Sequence, residues 1–136
     1  MKNKRNVLNI LIIIELLSIV ISSFGFTKVF ANDTDILGDL WRILTSPSKL
    51  VTDYFALGGL GSAFLNTAIC GLIANAVIFF SKVRSNATTF AAYMLVIAQG
   101  FYGLNFLNMW TPLLGVLIYC IVMKTPFSEK VHVALF

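Results

Sequence analysis

The residues with the most scope for chemistry are polar side chains that interrupt long apolar runs. Glu15 is the only acidic residue within such a run, Val7 to Phe26. An ionisable side chain at membrane depth costs ~2.5–3.5 kcal/mol on insertion scales, so we expect this carboxyl to have a specific role. It serves as a proton or cation site, or as a protonated group that hydrogen-bonds to a neighbouring helix, or it is tolerated in a signal-like segment.

A second group of polar residues lies in the stretch GFYGLNFLNMWTPLLG, residues 100–115. One interpretation is a helix broken inside the membrane, with Leu107 to Thr111 extended, Thr111 as N-cap and Pro112 as the first residue of a half-helix. Non-helical backbone at that depth needs protein or a water-filled cavity around it, and such breaks mark substrate sites in many transporters.

The other interpretation of this stretch is a plain turn, GLNFLN, at the outer surface, followed by a short helix that begins near Phe106. Under the first interpretation, the polar residues line a route for a solute or an ion. The candidate path then consists of Glu15, Gln99, Asn105, Asn108, Thr111 and Pro112.

The apolar run from Tyr54 to Phe80 is rich in small residues, which let membrane helices approach one another closely. Its small and amide-bearing residues recur at helical spacing along two stripes, so we expect contacts with two neighbouring helices. The predicted packing residues are Gly58, Gly59, Gly61, Ser62, Asn66, Gly71 and Asn75.

Motifs of soluble enzymes are missing from the sequence: it holds no CxxC, HExxH, P-loop or dinucleotide-binding pattern. Cys70 and Cys120 fall in apolar runs, where we expect free thiols that pack as small hydrophobic residues. His132 stands apart from any acidic or nucleophilic cluster. We therefore predict no enzyme activity, no metal site and no cofactor.

The composition predicts an integral membrane protein. Of 136 residues, 58% are hydrophobic and 12% are charged, about half the ~25% charged share of a soluble domain. A soluble domain this short could not bury so much apolar surface in one core. The net charge of +4 is spread over the ends of apolar runs, so it does not indicate a nucleic-acid partner.

The apolar runs predict a single all-α, polytopic membrane domain over residues 1–136. A bilayer core needs ~20 residues of helix, and about four segments qualify. The first is either a retained helix or a signal peptide cleaved near Ala31. The predicted segments are residues 7–26, 54–80, 87–106 and 107–123.

Residues 32–53 form the only long polar stretch between these segments, and we predict a loop on the outer side. Within it, DILGDLWRIL brings apolar residues to one side at helical spacing, which is typical of an amphipathic helix lying on the membrane surface. The predicted apolar side consists of Ile36, Leu37, Leu40, Trp41 and Leu44, with Trp41 at headgroup level.

Basic residues orient the chain in the cell membrane with both ends in the cytoplasm, because cytoplasmic loops carry an excess of Lys and Arg. This orientation leaves only Lys28, Arg42 and Lys49 outside. It puts inside Lys2, Lys4, Arg5, Lys82, Arg84, Lys124 and Lys130.

Three stretches carry a resemblance to a known family: TSPSKLVTDYFALGGLGSAFLN, GFYGLNFLNMWTPLLGVLIY and the closing VHVALF. They resemble a bacterial membrane family known as domain of unknown function 1576. The resemblance implies a polytopic, permease-like fold and no specific activity. Family members are longer, so it also implies that this chain corresponds to their N-terminal portion.

These observations favour a transporter-like or channel-like permease component for a small solute. The rival hypothesis is a structural or regulatory membrane subunit, in which the polar residues only hold helices together. The expected partners are the lipid bilayer, a small solute, and either a second copy or a C-terminal half. The sequence does not identify the solute.

The predicted orientation can be tested by cysteine accessibility in a background free of Cys70 and Cys120. We expect cysteines at positions 35 and 48 to react with impermeant reagents from outside. Cysteines at positions 4, 84 and 128 should react only from inside, because the basic residues keep these loops cytoplasmic. Labelling of position 84 from outside would overturn the arrangement.

Overall fold

The computed structural model describes residues 10, 12–14, 16–17, 19–21, 35–47, 51–83 and 86–135, and Glu15 lies outside them. The described part is helical and has no strand, which confirms the predicted all-α class. The helices are α1 (Ile12–Ile21, less residues 15 and 18), α2 (Ile36–Thr45), α3 (Tyr54–Phe80), α4 (Ala87–Gln99), α5 (Trp110–Val122) and α6 (Phe127–Leu135).

Helix α3 covers the same residues, 54–80, as the second predicted segment. Its 27 residues begin at the N-cap Asp53, whose carboxylate accepts hydrogen bonds from Phe55 N at 2.9 Å and Ala56 N at 3.1 Å. Among the described helices, α3 alone is both long and apolar enough to cross a membrane, while α1, α4 and α5 are shorter apolar helices.

A kink at Gly59 divides α3 into a short N-terminal arm and a longer straight part. Gly59 has φ 72° and ψ 177°, a backbone conformation that is essentially restricted to glycine. The straight part after the kink is ~30 Å long at 1.5 Å per residue, the thickness of a bilayer core. The arm, residues 54–58, therefore has a different direction from the straight part.

Helix α2 packs on α3 through part of the predicted apolar side, rotated toward Ile43. Its buried residues are Ile36, Leu40 and Ile43, whereas Leu37 and Trp41 are 67% and 64% exposed. The contact forms at Gly58, where a Cβ atom would lie 2.9 Å from both Asp39 O and the Ile43 side chain. Close approach at this glycine draws Ile43 inward and turns Trp41 outward.

Of the last two predicted segments, the helix over 87–106 was too long, while the segment over 107–123 was expected to be partly non-helical in one interpretation. The helix predicted over 87–106 ends at Gln99, and the segment predicted over 107–123 is helical only from Trp110 to Val122. A run of turns separates them. Each helix has 13 residues and is ~20 Å long, short of the ~30 Å core.

Helix α6 was not predicted, and it packs against both α4 and α5. Its buried residues join a core that also takes side chains from the other apolar helices. The members of this core with the least exposure include Leu16, Cys70, Ala74, Ala92, Val96, Met109, Val131 and Ala134. Cys70 and Cys120 are both free and buried, as predicted.

The kink gives a test of the fold. Gly59→Ala should lower the free energy of unfolding by about 1–3 kcal/mol, because alanine is strained at this φ and ψ. Gly115→Ala is the matched control: a Cβ there meets nothing within 4 Å, and alanine favours the helical α5. The melting temperatures of the two variants are measured by thermal unfolding in detergent. Equal melting temperatures for Gly59→Ala and Gly115→Ala would show that the kink is not required.

Candidate functional site

The candidate site is the run of turns from Gly100 to Met109 that joins α4 to α5, here called the α4–α5 turn. It begins where α4 meets α3, since a Cβ atom at Gly100 would lie 2.9 Å from Thr67 Cα and 2.9 Å from Thr67 Oγ1. Only glycine permits this approach. Just before it, the Gln99 carbonyl accepts hydrogen bonds from the N–H groups of Tyr102, Gly103 and Leu104 at 2.9–3.0 Å, which ends the helix.

Two asparagines close the second half of the α4–α5 turn. Asn105 Oδ1 accepts hydrogen bonds from Leu107 N at 3.0 Å and Asn108 N at 2.9 Å. Asn108 in turn accepts from Asn105 N at 2.8 Å and donates to Gly103 O at 2.9 Å. Asparagine side chains commonly stabilise turns by bonding to nearby backbone in this way.

The backbone donors of the α4–α5 turn are almost completely satisfied by the protein itself. Every N–H of residues 100–105 and 107–109 donates to an acceptor within the chain. A turn at a water-exposed surface does not need this, because water can accept from unpaired N–H groups. The N–H groups of these residues therefore meet their part of the requirement for non-helical backbone away from water.

Asn66 fastens the turn to the straight part of α3. It is fully buried, and its Nδ2 donates to Gly100 O at 2.8 Å and to Leu104 O at 2.9 Å. One turn of helix further, Cys70 Sγ lies 3.9 Å from Leu104 O. The residue predicted as a packing amide thus binds the two carbonyls that flank the first half of the turn.

Helix α2 and the N-terminal arm of α3 cover the α4–α5 turn from the other side. Asn105 is 2% exposed, its side chain hydrogen-bonds to Tyr54, and its Nδ2 lies 3.4 Å from Ile43 O. Thr52 N donates to Tyr102 O at 2.7 Å. The turn is consequently contacted by three separate parts of the chain, and its exposed residues are Tyr102 and Leu107.

An aromatic cluster completes the cover. The Phe101 ring stacks on the Phe55 ring at 5.5 Å between centroids, and it meets the Phe64 ring edge-on at 5.1 Å. Phe55 belongs to the arm and Phe64 to the straight part of α3. The kink at Gly59 is what brings these two rings to the same residue.

The turn lies well within the length of α3. Gly100 is beside Thr67, about eight residues from the kink and about thirteen from Phe80. At 1.5 Å per residue, the end of α4 is ~12 Å from the kinked end of the straight part and ~20 Å from its other end. The latter distance agrees with the length of α4.

The structure brings together three of the six candidate path residues. Gln99, Asn105 and Asn108 all belong to the hydrogen-bonded network of the turn. Thr111 and Pro112 are exposed on the first turn of α5, and Glu15 lies outside the described residues.

Residues 103–108 lie within the run of turns, as the turn interpretation predicts, whereas the extended backbone of the broken-helix interpretation is wrong. The N-cap of α5 is Met109, not Thr111, and Pro112 is its third residue. The backbone from Leu107 to Thr111 is in turns and helix instead of extended. The reason is that Asn105 Oδ1 and the Asn105 carbonyl accept hydrogen bonds from the N–H groups of residues 107–109. The helix also does not begin at Phe106.

The predicted packing residues are buried, with the exception of Gly59 at the kink, which is half-buried. Ser62 Oγ donates to Ile36 O at 2.9 Å and so ties α2 to α3. A Cβ atom at Gly71 would meet the side chains of Ile97 and Leu16, so α3 is closely approached there by α4 and α1. Gly58 makes the α2 contact, and Asn75 is 2% exposed.

Sequence reasoning missed two residues of the site, Thr67 and Tyr54. Thr67 follows Asn66 and faces Gly100, while Tyr54 bonds to Asn105 across 51 residues of sequence. No local signal marks either one. Among the described residues, no three His, Cys, Asp or Glu side chains gather in a group that could hold a metal ion.

Comparison with known proteins yields one match. A family model described as "Protein of unknown function (DUF1576)" matches residues 32–136, which include α2 to α6 and the whole α4–α5 turn. No curated protein and no solved structure matches the chain.

The role of Asn66 can be measured through stability. Asn66→Leu should lower the free energy of unfolding by about 1–3 kcal/mol, because it leaves the Gly100 and Leu104 carbonyls without their buried donor. Thr111→Val removes an exposed hydroxyl nearby and should change it by less than ~0.5 kcal/mol. Equal denaturation midpoints for the two variants would contradict the assigned role.

Proposed function

The chain belongs to the DUF1576 family, and from that premise we propose that it is a multi-pass protein of the bacterial cell membrane that serves as a transporter-like or channel-like permease component for a small solute. In this proposal α3 and the predicted first segment, residues 7–26, cross the membrane. Helices α4 and α5 enter it and meet at the α4–α5 turn. Both ends of the chain lie in the cytoplasm.

The observation that carries the proposal is the α4–α5 turn itself. A break whose N–H groups are satisfied inside the protein is suited to the membrane interior, where each unpaired backbone group would cost several kcal/mol. Its position beside Thr67, far from either end of α3, supports the same depth. Breaks of this kind form the substrate and ion sites of many transporters.

The polar groups of the proposed path are those of Gln99, Asn105 and Asn108, with Glu15 as a candidate proton or cation site on α1. Gln99 is half-buried at the end of α4. Of its polar groups, only the backbone carbonyl takes part in the hydrogen bonds that end the helix. Its side-chain amide is therefore available to a passing solute. Apart from Glu15 the path has neutral amides, so a small polar solute suits it better than a polyanion.

The second candidate is a structural or regulatory membrane subunit that transports nothing. One observation favours it: the amide of Asn66 and the hydroxyl of Ser62 each bond to a carbonyl of another segment. Side chains of this type hold membrane helices together without any ligand. The two candidates differ in whether the reconstituted protein lets a solute pass.

A flux experiment separates these candidates. Proteoliposomes containing the full chain are exposed to a mixture of neutral, anionic and cationic metabolites, and the retained compounds are measured by mass spectrometry. We expect at least one small polar solute to enter faster than into protein-free liposomes. Gln99→Ala should slow its entry about tenfold, since the solute loses one amide hydrogen bond.

Thr88→Ala is the control, because Thr88 is exposed at the far end of α4 and should leave the flux unchanged. Entry at the protein-free rate for every solute would reject the permease and favour the structural subunit. Equal flux through Gln99→Ala and the parent protein would remove Gln99 from the path.

A further inference from the structure

Two buried oxygen atoms beside the α4–α5 turn have no hydrogen-bond partner among the described residues: Asn66 Oδ1 and Thr67 Oγ1. Their residues are 0% and 1% exposed. A buried polar atom without a partner costs roughly 1–3 kcal/mol. Each of the two atoms therefore calls for a partner, and an unseen ion or water is the usual one.

Both side chains face the same point, the end of α4. The Asn66 amide is 2.8 Å from Gly100 O, and Thr67 Oγ1 would be 2.9 Å from a Cβ atom on Gly100. The orientation of the Asn66 amide is fixed, because its NH₂ group donates to two carbonyls and a flip would lose both bonds. Its oxygen is thus held as an acceptor on the residue that precedes Thr67 in α3.

The electrostatics at this point favour a positive charge. The C-terminal end of a helix carries roughly half a negative charge, and α4 ends at Gln99, directly before Gly100. Phe101 N reaches back only three residues, to Ala98 O, so the regular α-helical bonding stops here. The carbonyls of Gly100 and Leu104, each with a second lone pair, lie next to the same amide.

We propose that Asn66 Oδ1, Thr67 Oγ1 and the carbonyls at the end of α4 form a binding site for a dehydrated Na⁺ ion. The donor set is all oxygen and all neutral. Ca²⁺ and Mg²⁺ sites rely on carboxylates, whereas unwound carbonyls and helix C-termini bind Na⁺ in transporters with broken helices. A neutral set suits a monovalent cation, because it has no fixed charge to balance a second positive charge.

Binding of Na⁺ would also tie the break to α3 more firmly, since the ion would join the end of α4 to Asn66 and Thr67. Its use as a coupling ion rests on the proposed transport function, but the binding itself does not. A protein that binds Na⁺ and passes no solute would contradict the permease and leave the ion site intact.

The test measures the melting temperature of the full chain in detergent, with NaCl, KCl or choline chloride at one ionic strength. Saturating NaCl should raise the melting temperature of the parent protein by about 3–6 °C over choline chloride, because the ion binds only the folded state. KCl should give less than half of this rise. Titration should saturate, and binding of ²²Na⁺ should give the same midpoint.

Thr67→Val should abolish the Na⁺-dependent rise, while Thr67→Ser, which keeps a hydroxyl, should retain it. Thr125→Val is the matched control: Thr125 Oγ1 also has no partner among the described residues, but it lies between α5 and α6, so this variant should respond to Na⁺ as the parent does.

Equal melting of the parent protein in NaCl and choline chloride, with no ²²Na⁺ bound, would overturn the proposal and leave a buried water as the partner of the two oxygens. A full Na⁺ response in Thr67→Val would also overturn it. The ²²Na⁺ measurement on the parent protein stands even where a variant fails to fold.

Discussion

The hydrogen bonds from one buried amide, Asn66 Nδ2, to the carbonyls of Gly100 and Leu104 are the interaction on which the rest of the site depends. Three residues of turn, 101–103, separate Gly100 from Leu104, and Asn66 binds both carbonyls, so α4 ends at Gln99. Asn105 then accepts hydrogen bonds from the N–H groups of Leu107 and Asn108. Helix α5 begins at Trp110, ten residues after Gly100. Without the Asn66 donor, both carbonyls would be buried and under-satisfied.

The second constraint is steric and comes from glycine. At Gly100 the α4 backbone touches Thr67, at Gly58 α2 touches the arm of α3, and at Gly59 the arm turns away from the straight helix. These contacts bring α2, the arm and Phe101 over the turn as a cover. The small residues of α3 therefore do more than let parallel helices pack closely. They also let α2 and the arm pack against the irregular α4–α5 turn.

The sequence predicts the parts of the structure that depend on local pattern. The length and apolar character of residues 54–80 predicted α3, and three characteristic stretches predicted the family, which is confirmed. The short helix in the polar stretch was also predicted, but its buried side was predicted only in part. That side is set by Gly58 and Ile43, and hydrophobic periodicity carries no information about which neighbour a helix will meet.

The parts that failed depend on partners distant in sequence. The end of α4 at Gln99, seven residues before the predicted end, is set by an amide 34 residues upstream of Gly100. Apolar residues such as Phe101, Leu104 and Phe106 continue through the turn and hide it from any hydropathy pattern. Asn105 and Asn108 were recognised as unusual, but the distant partners of Asn105, Ile43 O and Tyr54, could come only from the tertiary structure.

The most direct test of a helix break inside the membrane is the depth of the α4–α5 turn in a bilayer. Leu107 is 51% exposed, so a spin label there should leave the turn intact. Power-saturation EPR in nanodiscs compares its contact with oxygen and with a water-soluble nickel chelate, using labels at Thr45 and Thr88 as references near the two surfaces. We predict high oxygen and low nickel accessibility at position 107; nickel accessibility equal to that at Thr45 would put the turn at the membrane surface and contradict the broken helix.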